Sequence, residues 1–183
     1  MKKLLIILPL LLIMALTGRA QNASASTNVV GYADFVTINA EASCALARHW
    51  TANAGFMYNP WNFKGDWGDA RNQRHTVNIG ARYWIWNVYS GWWMGAKLQW
   101  EEYNRGGIRK PETEEGDAYG AGVSAGYSLM LHRNLNLDMG VGLWGGWKKY
   151  TVYRCPTCGR IEDQGEKAFP LPNDVMISLL FTF

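Results

Sequence analysis

Apolar residues recur at every second position along much of the chain, and the C-terminal segment shows this pattern most clearly. From Asp174 to Phe183 one face is entirely apolar, whereas the other face is mixed. The apolar face carries Val175, Ile177, Leu179, Phe181 and Phe183. A period of two predicts a β-strand, because successive side chains of a strand point to opposite sides. The pattern leaves open whether a protein core or lipid covers the apolar face.

Five earlier segments repeat this alternation, and they extend over residues 38–47, 76–86, 92–103, 118–131 and 135–147. They run to about ten residues or more, longer than a usual soluble strand and suited to a tilted membrane crossing. Each has an unbroken apolar face opposite one rich in glycine, polar and charged residues. A soluble sandwich would place its charges outside and its bulky side chains inside. The observed pattern is instead typical of a barrel with a polar lumen and a lipid-facing surface.

The connections between these segments alternate between tight and long. Tight turns are predicted at residues 48–49, 87–91 and 132–134, and long polar loops at 59–75, 104–117 and 153–172. The segment between the first tight turn and the first long loop is a further strand, and taking residues 27–35 as the first strand, with a short bend at Val36 and Thr37, gives eight strands. We therefore predict an all-β fold, an eight-stranded antiparallel up-and-down transmembrane β-barrel. The long loops would lie outside the cell, and both termini in the periplasm.

The N-terminus has the pattern of a secretory signal peptide. Lys2 and Lys3 precede an apolar run, and the small residues Gly18 and Ala20 precede a predicted cleavage site before Gln21. The expected organisation is a signal peptide over 1–20, a short segment over 21–26 and the barrel over 27–183. Cleavage would leave 15 basic and 15 acidic residues. This balance gives no support for a nucleic-acid partner, and the expected location is the outer membrane of a Gram-negative bacterium.

The chain is rich in aromatic residues, with 10 Trp and 9 Tyr. Such residues concentrate at membrane–water interfaces, so they predict two aromatic belts. The belt near the tight turns would contain Trp50, Tyr89 and Trp92, and the belt near the loops Trp61, Trp67, Tyr150 and Tyr153. A secreted, Trp-rich β-protein that binds glycans is the alternative that this composition supports.

The predicted interior combines bulky and charged side chains with glycines. Two neighbouring strands direct inward Arg82, Trp84, Trp86, Trp93, Lys97, Gln99 and Glu101. The next two strands face them with glycines 120, 122, 126, 140, 142 and 146. Large side chains opposite small ones predict a plugged lumen, as expected for eight strands. Buried charges need partners, so we expect a network of Glu41, Arg82, Lys97, Glu101 and Asp138. This network would be a structural plug, with a gated ion path as the alternative.

The cysteines and histidines are the remaining candidates for chemistry. Cys155 and Cys158 form a CxxC motif, but structural zinc needs four ligands, so a disulfide is the favoured interpretation outside the cytoplasm. Cys44 is expected to be an unpaired thiol facing lipid. An outer-membrane lipid hydrolase is a third function, for which His75 is the one histidine expected at the outer rim, and the chain has no G-x-S-x-G motif. We predict no catalytic residue, cofactor or metal.

Several segments carry a family resemblance: "ALARHWTANAGFMYNPW", "ARYWIW" and "GYSLMLHRNLNLDMGVGLW". A turn of Arg, then His or Asn, then Trp or Leu occurs twice, at residues 48–50 and 133–135. Over residues 27–183 the chain resembles the DUF3575 family of Bacteroidota, which implies a small barrel similar in outline to OmpA-type barrels, associated with fimbrial genes. The CxxC motif departs from that pattern. The C-terminal residues Leu179, Phe181 and Phe183 resemble the recognition signal of the outer-membrane barrel assembly machinery.

The expected function is therefore non-enzymatic, that of a membrane-anchored structural or interaction protein with a link to fimbrial or surface assembly. The expected partners are outer-membrane lipid, the assembly machinery during biogenesis and a surface or fimbrial protein.

Overall fold

A computed structural model describes residues 22–65, 68–108, 111–155 and 159–183, and the predicted signal peptide and Gln21 lie outside this part. The described fold is all-β, with nine antiparallel strands and one helical turn, α1, over Val29–Ala33. The strands are β1 Ala23–Asn28, β2 Ile38–Ala47, β3 Trp50–Asn59, β4 Asn62–Gly65, β5 Gly68–Trp84, β6 Gly91–Gly106, β7 Thr113–His132, β8 Leu135–Tyr153 and β9 Ile161–Thr182. Among the described residues, no helix is long and apolar enough to cross a membrane.

The strands close into a ring. Each strand pairs with the next along the chain, except that β3 and β4 both pair with β5 at different heights. β1 pairs with β9, with Ser24 opposite Thr182 and Asn28 opposite Ser178. The predicted antiparallel ring of eight strands is therefore confirmed, with β3 and β4 occupying one position in it.

The first strand differs from its prediction. It was expected over residues 27–35, but β1 ends at Asn28 and residues 23–26, expected ahead of the barrel, belong to it. The side chain of Asn28 explains the end point. Its amide donates to the Val175 carbonyl at 3.0 Å, and its oxygen accepts from the backbone N–H of Val30 at 3.1 Å. Asn28 thus continues the pairing with β9 by its side chain while it caps α1.

The long polar segments also differ from their prediction as loops, because most of their residues extend the strands. β5 begins at Gly68, β7 at Thr113 and β9 at Ile161. Charged residues occupy both faces of these extensions. The alternation of apolar and polar positions therefore disappears, although the backbone pairing of the strands continues. Lys149 and Glu166, for example, pair at 2.9 Å across the outer face of β8 and β9. We call the end of the barrel with these extensions the outer mouth, and the end with the tight turns the near end.

The extensions form only part of a cylinder. β1 and β2 are short, and above them the wall consists of β4 to β9. The segment that links β1 to β2 lies across this open side, and its helical turn packs against β9. The strand pairing between β1 and β9 is thus short, covering Ser24–Asn28 and Ser178–Thr182, and Ala23 and Phe183 add two backbone hydrogen bonds.

The two faces of the ring separate as the alternation predicts. Outward-facing Val141 and Val123 are 66% and 60% exposed, whereas inward-facing Trp93 and Leu180 are 2% and 1% exposed. The C-terminal strand follows its predicted facing, with Leu179, Phe181 and Phe183 exposed. Buried polar residues line the inside, among them Asn39, Asn53, Thr76, Asn78, Gln99 and Asp138. The described ring is therefore apolar outside and polar inside.

Candidate functional site

The middle of the barrel holds an ion-pair cluster centred on Arg82. Its two terminal nitrogens contact Glu41 at 2.7 Å and Asp138 at 3.1 Å. The second oxygen of Asp138 accepts a hydrogen bond of 2.6 Å from the indole N–H of Trp93. The Arg82 guanidinium also lies 4.5 Å from the centre of the Trp93 ring. The Arg82 and Asp138 side chains are only 8% and 2% exposed, so each charge relies on these partners.

Of the five predicted network residues, Glu101 lies apart from the Arg82 cluster. Lys97 lines the same small cavity as Glu41 and Arg82. Glu101 pairs instead with Arg105 at 2.5 Å, nearer the outer mouth. The register explains the separation, because Glu101 lies opposite Thr76, six residues from Arg82 along β5. At a rise of about 3.3 Å per residue, this places Glu101 about 20 Å from Arg82 along the strand.

An aromatic layer closes the near end of the lumen. Trp84, Tyr89, Trp93 and Leu180 form a buried cluster, in which the Trp84 ring lies 5.7 Å from Tyr89 and 6.3 Å from Trp93. Tyr89 was predicted to be a belt residue, but it is 4% exposed because its turn, with a φ of 64°, folds into the barrel end. Trp86 was predicted to point inward but is 54% exposed, because β5 ends two residues earlier.

A second aromatic layer closes the lumen toward the outer mouth. Tyr103, Ala118 and Trp144 are buried there, and Phe169 and Leu171 pack against them. The rings of Trp144 and Phe169 meet edge to face at 4.7 Å. The register of β8 and β9 shifts between Gly142 and Trp144, which turns Phe169 and Leu171 inward. Sequence reasoning missed both residues for two reasons. This irregularity interrupts the alternation of β9, and the segment that contains them was predicted to be a loop.

Above this layer, Glu114 accepts hydrogen bonds from the Tyr103 hydroxyl at 2.8 Å and from the Lys148 ammonium. Burial raises the pKa of Tyr103 above its usual value, and the bond to Glu114 raises it further. Burial also tends to raise the pKa of Glu114. The hydrogen bonds from Lys148 and Tyr103 and the charge of Lys148 outweigh that effect, so the pKa of Glu114 is lowered. Glu114 is thus held as a carboxylate at the inner face of the extension.

Glycines make room for the bulky indole of Trp93, as the opposition of large and small residues predicts. A Cβ atom added to Gly126 would lie 2.5 Å from the Trp93 ring and 2.2 Å from the Met139 carbonyl oxygen. A Cβ atom on Gly140 would lie 2.9 Å from the same ring. Any larger residue at these positions would displace Trp93, and with it the N–H that binds Asp138.

The polar middle of the lumen encloses a cavity of about 50 Å³, lined among others by Glu41, Asn53, Arg82 and Lys97. This volume suits one or two water molecules, each of which occupies about 30 Å³ in the liquid. The Asn53 side-chain oxygen is buried here without a protein partner. The arrangement of aromatic layer, ion pairs and aromatic layer leaves no wide aqueous path through the described barrel.

A larger cleft of about 660 Å³ opens at the outer mouth. Asn72, Arg74, Arg105 and Glu114 line it with polar groups, and Phe35, Ile108 and Val152 add apolar surface. Asp34 also reaches it from the β1–β2 connection and pairs with Arg74 at 2.6 Å. This cleft has the size of a small-molecule site, and none of its charged residues was singled out from the sequence.

The other predicted residues are dispersed. Cys155 is in a disulfide and Cys44 is a free thiol on the outward face of β2; Cys158, the predicted partner of Cys155, lies outside the described residues, as does Trp67. His75 packs against the ring of Tyr58 at 4.8 Å on the outer face. Within the described residues, no group of three His, Cys, Asp or Glu could hold a metal ion.

Phe181 and Phe183, two of the three predicted assembly-signal residues, lie next to each other at the near end, with ring centres 6.0 Å apart.

A comparison with curated proteins finds no significant match for the chain. A family model described as "Protein of unknown function (DUF3575)" matches residues 5–183, nearly the whole chain. The match extends over every strand of the ring, and it shows that this chain belongs to the DUF3575 family.

Proposed function

We propose that this protein is a non-conducting outer-membrane β-barrel that serves as a structural or interaction protein, not as an enzyme. The observation that carries this proposal is the continuous apolar outer surface of a closed ring whose interior is polar and paired. In water such a surface would cost free energy in proportion to its exposed area. In a lipid bilayer it is the favourable arrangement.

The height of the apolar band supports a membrane location. On β6 the outward-facing residues from Trp92 to Trp100 carry no charge, and Glu102 follows at the outer end. These residues span about 27 Å along the strand, or about 20 Å along the membrane normal at the usual tilt of about 40°. Tryptophans at both ends fit the two interfaces of a bilayer.

The two aromatic layers and the Arg82 cluster support a sealed interior. An ion crossing the lumen would have to displace Trp84 and Trp93 at one level and Trp144 and Phe169 at another. It would also have to break the ion pairs of Arg82 with Glu41 and Asp138. The lumen is therefore proposed to be a structural plug.

The extensions of β4 to β9 support an interaction role outside the cell. Their strands are joined by backbone hydrogen bonds and also by hydrogen bonds between side chains, such as the one of 2.6 Å from the Tyr153 hydroxyl to Glu115. They project a wall beyond the apolar band that a surface or fimbrial protein could contact. The signal peptide over 1–20 and recognition of Leu179, Phe181 and Phe183 by the barrel assembly machinery belong to the same proposal.

Cell fractionation followed by gel electrophoresis tests the membrane location. We expect the protein in the outer-membrane fraction, and we expect unheated and boiled samples in detergent to migrate differently, since closed barrels resist unfolding by detergent. Recovery as a soluble periplasmic or secreted protein, with no shift on boiling, would overturn the proposal. A secreted glycan-binding β-protein would then become the better hypothesis.

A charged substitution on the outer face tests whether lipid or water surrounds the barrel. Val141→Arg should destabilise the barrel in lipid vesicles by about 2–4 kcal/mol if the residue lies near the bilayer midplane. In water the same change at a residue 66% exposed should cost almost nothing. Gln164→Arg, at an exposed position of the extension, is the matched control and should be neutral in both cases.

A further inference from the structure

The connection between β1 and β2 crosses the outer mouth as a short strap, residues 29–37. It consists of α1 followed by Asp34, Phe35, Val36 and Thr37. Phe35 and Val36 have φ angles of 52° and 54°, a backbone conformation that bulky and β-branched residues rarely adopt. Two such residues in succession cost free energy, so the surrounding contacts must hold the strap in place.

The Asp34 carboxylate makes two of these contacts. One carboxylate oxygen lies 2.6 Å from a terminal nitrogen of Arg74, and the other accepts a hydrogen bond of 3.0 Å from the Asn72 side chain. Arg74 and Asn72 both point inward from β5. A guanidinium beside an amide N–H is a common arrangement for binding a carboxylate or a phosphate. Here the chain's own carboxylate occupies it.

The cleft of about 660 Å³ continues from this carboxylate toward the β6–β7 hairpin. Arg105 lies opposite Asn72 in the register, and Tyr103 opposite Arg74. The two arginines are therefore diagonal neighbours on the inner face, about 7–8 Å apart at their Cα atoms. Phe35, Ile108 and Val152 provide apolar surface beside them. The cleft thus combines two guanidinium groups with an apolar wall, and it opens to the outside. Arg105 is itself paired with Glu101, and the carboxylates of Glu112 and Glu114 also line the cleft, so Arg74 is the principal anion-binding group.

We propose that this cleft binds a small molecule or headgroup through its carboxylate or phosphate, and that Asp34 occupies the anion position as a tethered competitor. An incoming anion would replace Asp34 on Arg74 and Asn72, and the strap would lose one of the contacts that hold its strained residues. The inference concerns the outer mouth only. It therefore stands whether or not the barrel spans a membrane, and its test is independent of the membrane test.

Release of the strap would be local, because other contacts anchor its C-terminal end. The hydroxyl of Thr37 donates to the Asp34 carbonyl at 2.5 Å and accepts from the Asn59 amide at 3.1 Å. The Trp61 indole N–H donates to the Val36 carbonyl at 3.2 Å, and the Phe35 and Phe63 rings lie 5.6 Å apart. Trp61 therefore contacts the strap next to Asp34, where its environment should report displacement.

The test uses the full chain purified in detergent and titrated with inorganic phosphate by isothermal calorimetry. A tethered competitor acts at an effective concentration of millimolar or more, so Asp34→Asn should bind phosphate about tenfold more tightly than wild type, or more. Arg74→Gln should abolish binding, alone and in the Asp34→Asn background. Glu166→Gln removes an ion pair from the outer face and is the matched control, with wild-type affinity expected.

Repeating the titration with dihexanoyl phosphatidic acid distinguishes the two sources of phosphate. Arg74-dependent binding of both probes would support a site for the anion itself, and binding of the lipid alone would assign the site to a headgroup. If neither probe binds Asp34→Asn, or if binding persists without Arg74, the proposal is wrong. The Asp34–Arg74 pair would then be only a fastening of the strap.

A second measurement follows the strap directly in the wild-type protein. Wild-type protein labelled with 5-fluorotryptophan gives one fluorine resonance for Trp61, assigned by its loss in Trp61→Phe. Saturating phosphate should shift that resonance, because displacement of the strap changes the environment of Trp61. A Trp61 resonance unmoved by bound phosphate would show that the anion leaves the strap in place, which contradicts the proposed competition.

Discussion

Replacement of Arg82 by methionine would remove both ion pairs of the central cluster while keeping most of the side-chain volume. Asp138 would then be a carboxylate 2% exposed whose remaining partner is the Trp93 indole. Glu41 is 22% exposed and borders the small cavity, so water can compensate part of its loss. Removing one member of a buried pair costs about 3–5 kcal/mol, most of it from the charge left behind. We expect a loss of unfolding free energy in this range.

Denaturant unfolding of the purified barrel, followed by tryptophan fluorescence, measures this change. Asp138→Asn in the Arg82→Met background removes the uncompensated charge and should recover about half of the loss or more. Lys149→Met is the matched control, because the Lys149–Glu166 pair lies on the surface with both side chains 63% exposed. Exposed pairs contribute little, so this variant should be close to wild type.

This prediction is wrong if Arg82→Met is no more destabilising than Lys149→Met. It also fails if Asp138→Asn lowers the stability of the Arg82→Met protein further, since that would mean the buried charge was not the source of the loss. In either case the central pairs would contribute no more than surface pairs do.

Three further predictions test the packing, the electrostatics and the seal. Gly126→Ala should cost about 1–3 kcal/mol in denaturant unfolding, because its Cβ would overlap the Trp93 ring and the Met139 carbonyl, whereas Gly165→Ala, whose nearest neighbour is 3.4 Å away, should cost much less. Because the pKa of Glu114 is lowered below its usual 4.5 in the folded protein, its contribution to stability is present above about that pH and is lost as the pH falls through the folded pKa; the stability difference between wild type and Glu114→Gln should therefore shrink in acid, and a difference that grows in acid would contradict this. In planar bilayers the wild type should show no conductance steps, nor should Trp93→Ala or Trp144→Ala alone, but the double variant should conduct if the two aromatic layers seal the lumen independently.

The alternation of residues predicted the ring because each wall strand has a different environment on its two sides. Val141 and Leu143 point out, whereas Trp144 points in, and this difference produces the alternation with a period of two. The opposition of Trp93 to Gly126 was also visible, since large and small side chains must face each other in a narrow lumen. Arg82 and Asp138 were identified because charges on an inward face need partners.

The extensions could not be predicted in the same way. Beyond the apolar band both faces of a strand are polar, so Lys148 and Lys149 are consecutive although one points in and the other out. The β1–α1 boundary depends on the side chain of a single asparagine, Asn28, which no periodicity reveals. The Asp34–Arg74 pair joins residues forty positions apart on different elements. Such contacts arise from the register of the whole ring and not from local sequence.

The short pairing between β1 and β9 has a mechanical consequence. β8 and β9 pair along the whole of Leu135–Tyr153, whereas the strand pairing that closes the ring covers only Ser24–Asn28 and Ser178–Thr182, with two further backbone hydrogen bonds between Ala23 and Phe183. β1 is held by a short pairing on its other side too, because only Ala23–Ser26 pair with β2. A chain pulled at its ends should therefore detach β1 first, while the sheet from β2 to β9 stays whole. We expect this seam to form late in folding, since its two edges lie at opposite ends of the sequence. Newly made protein should therefore pass through an open, curled sheet whose free edges are the ones that an assembly factor would have to hold.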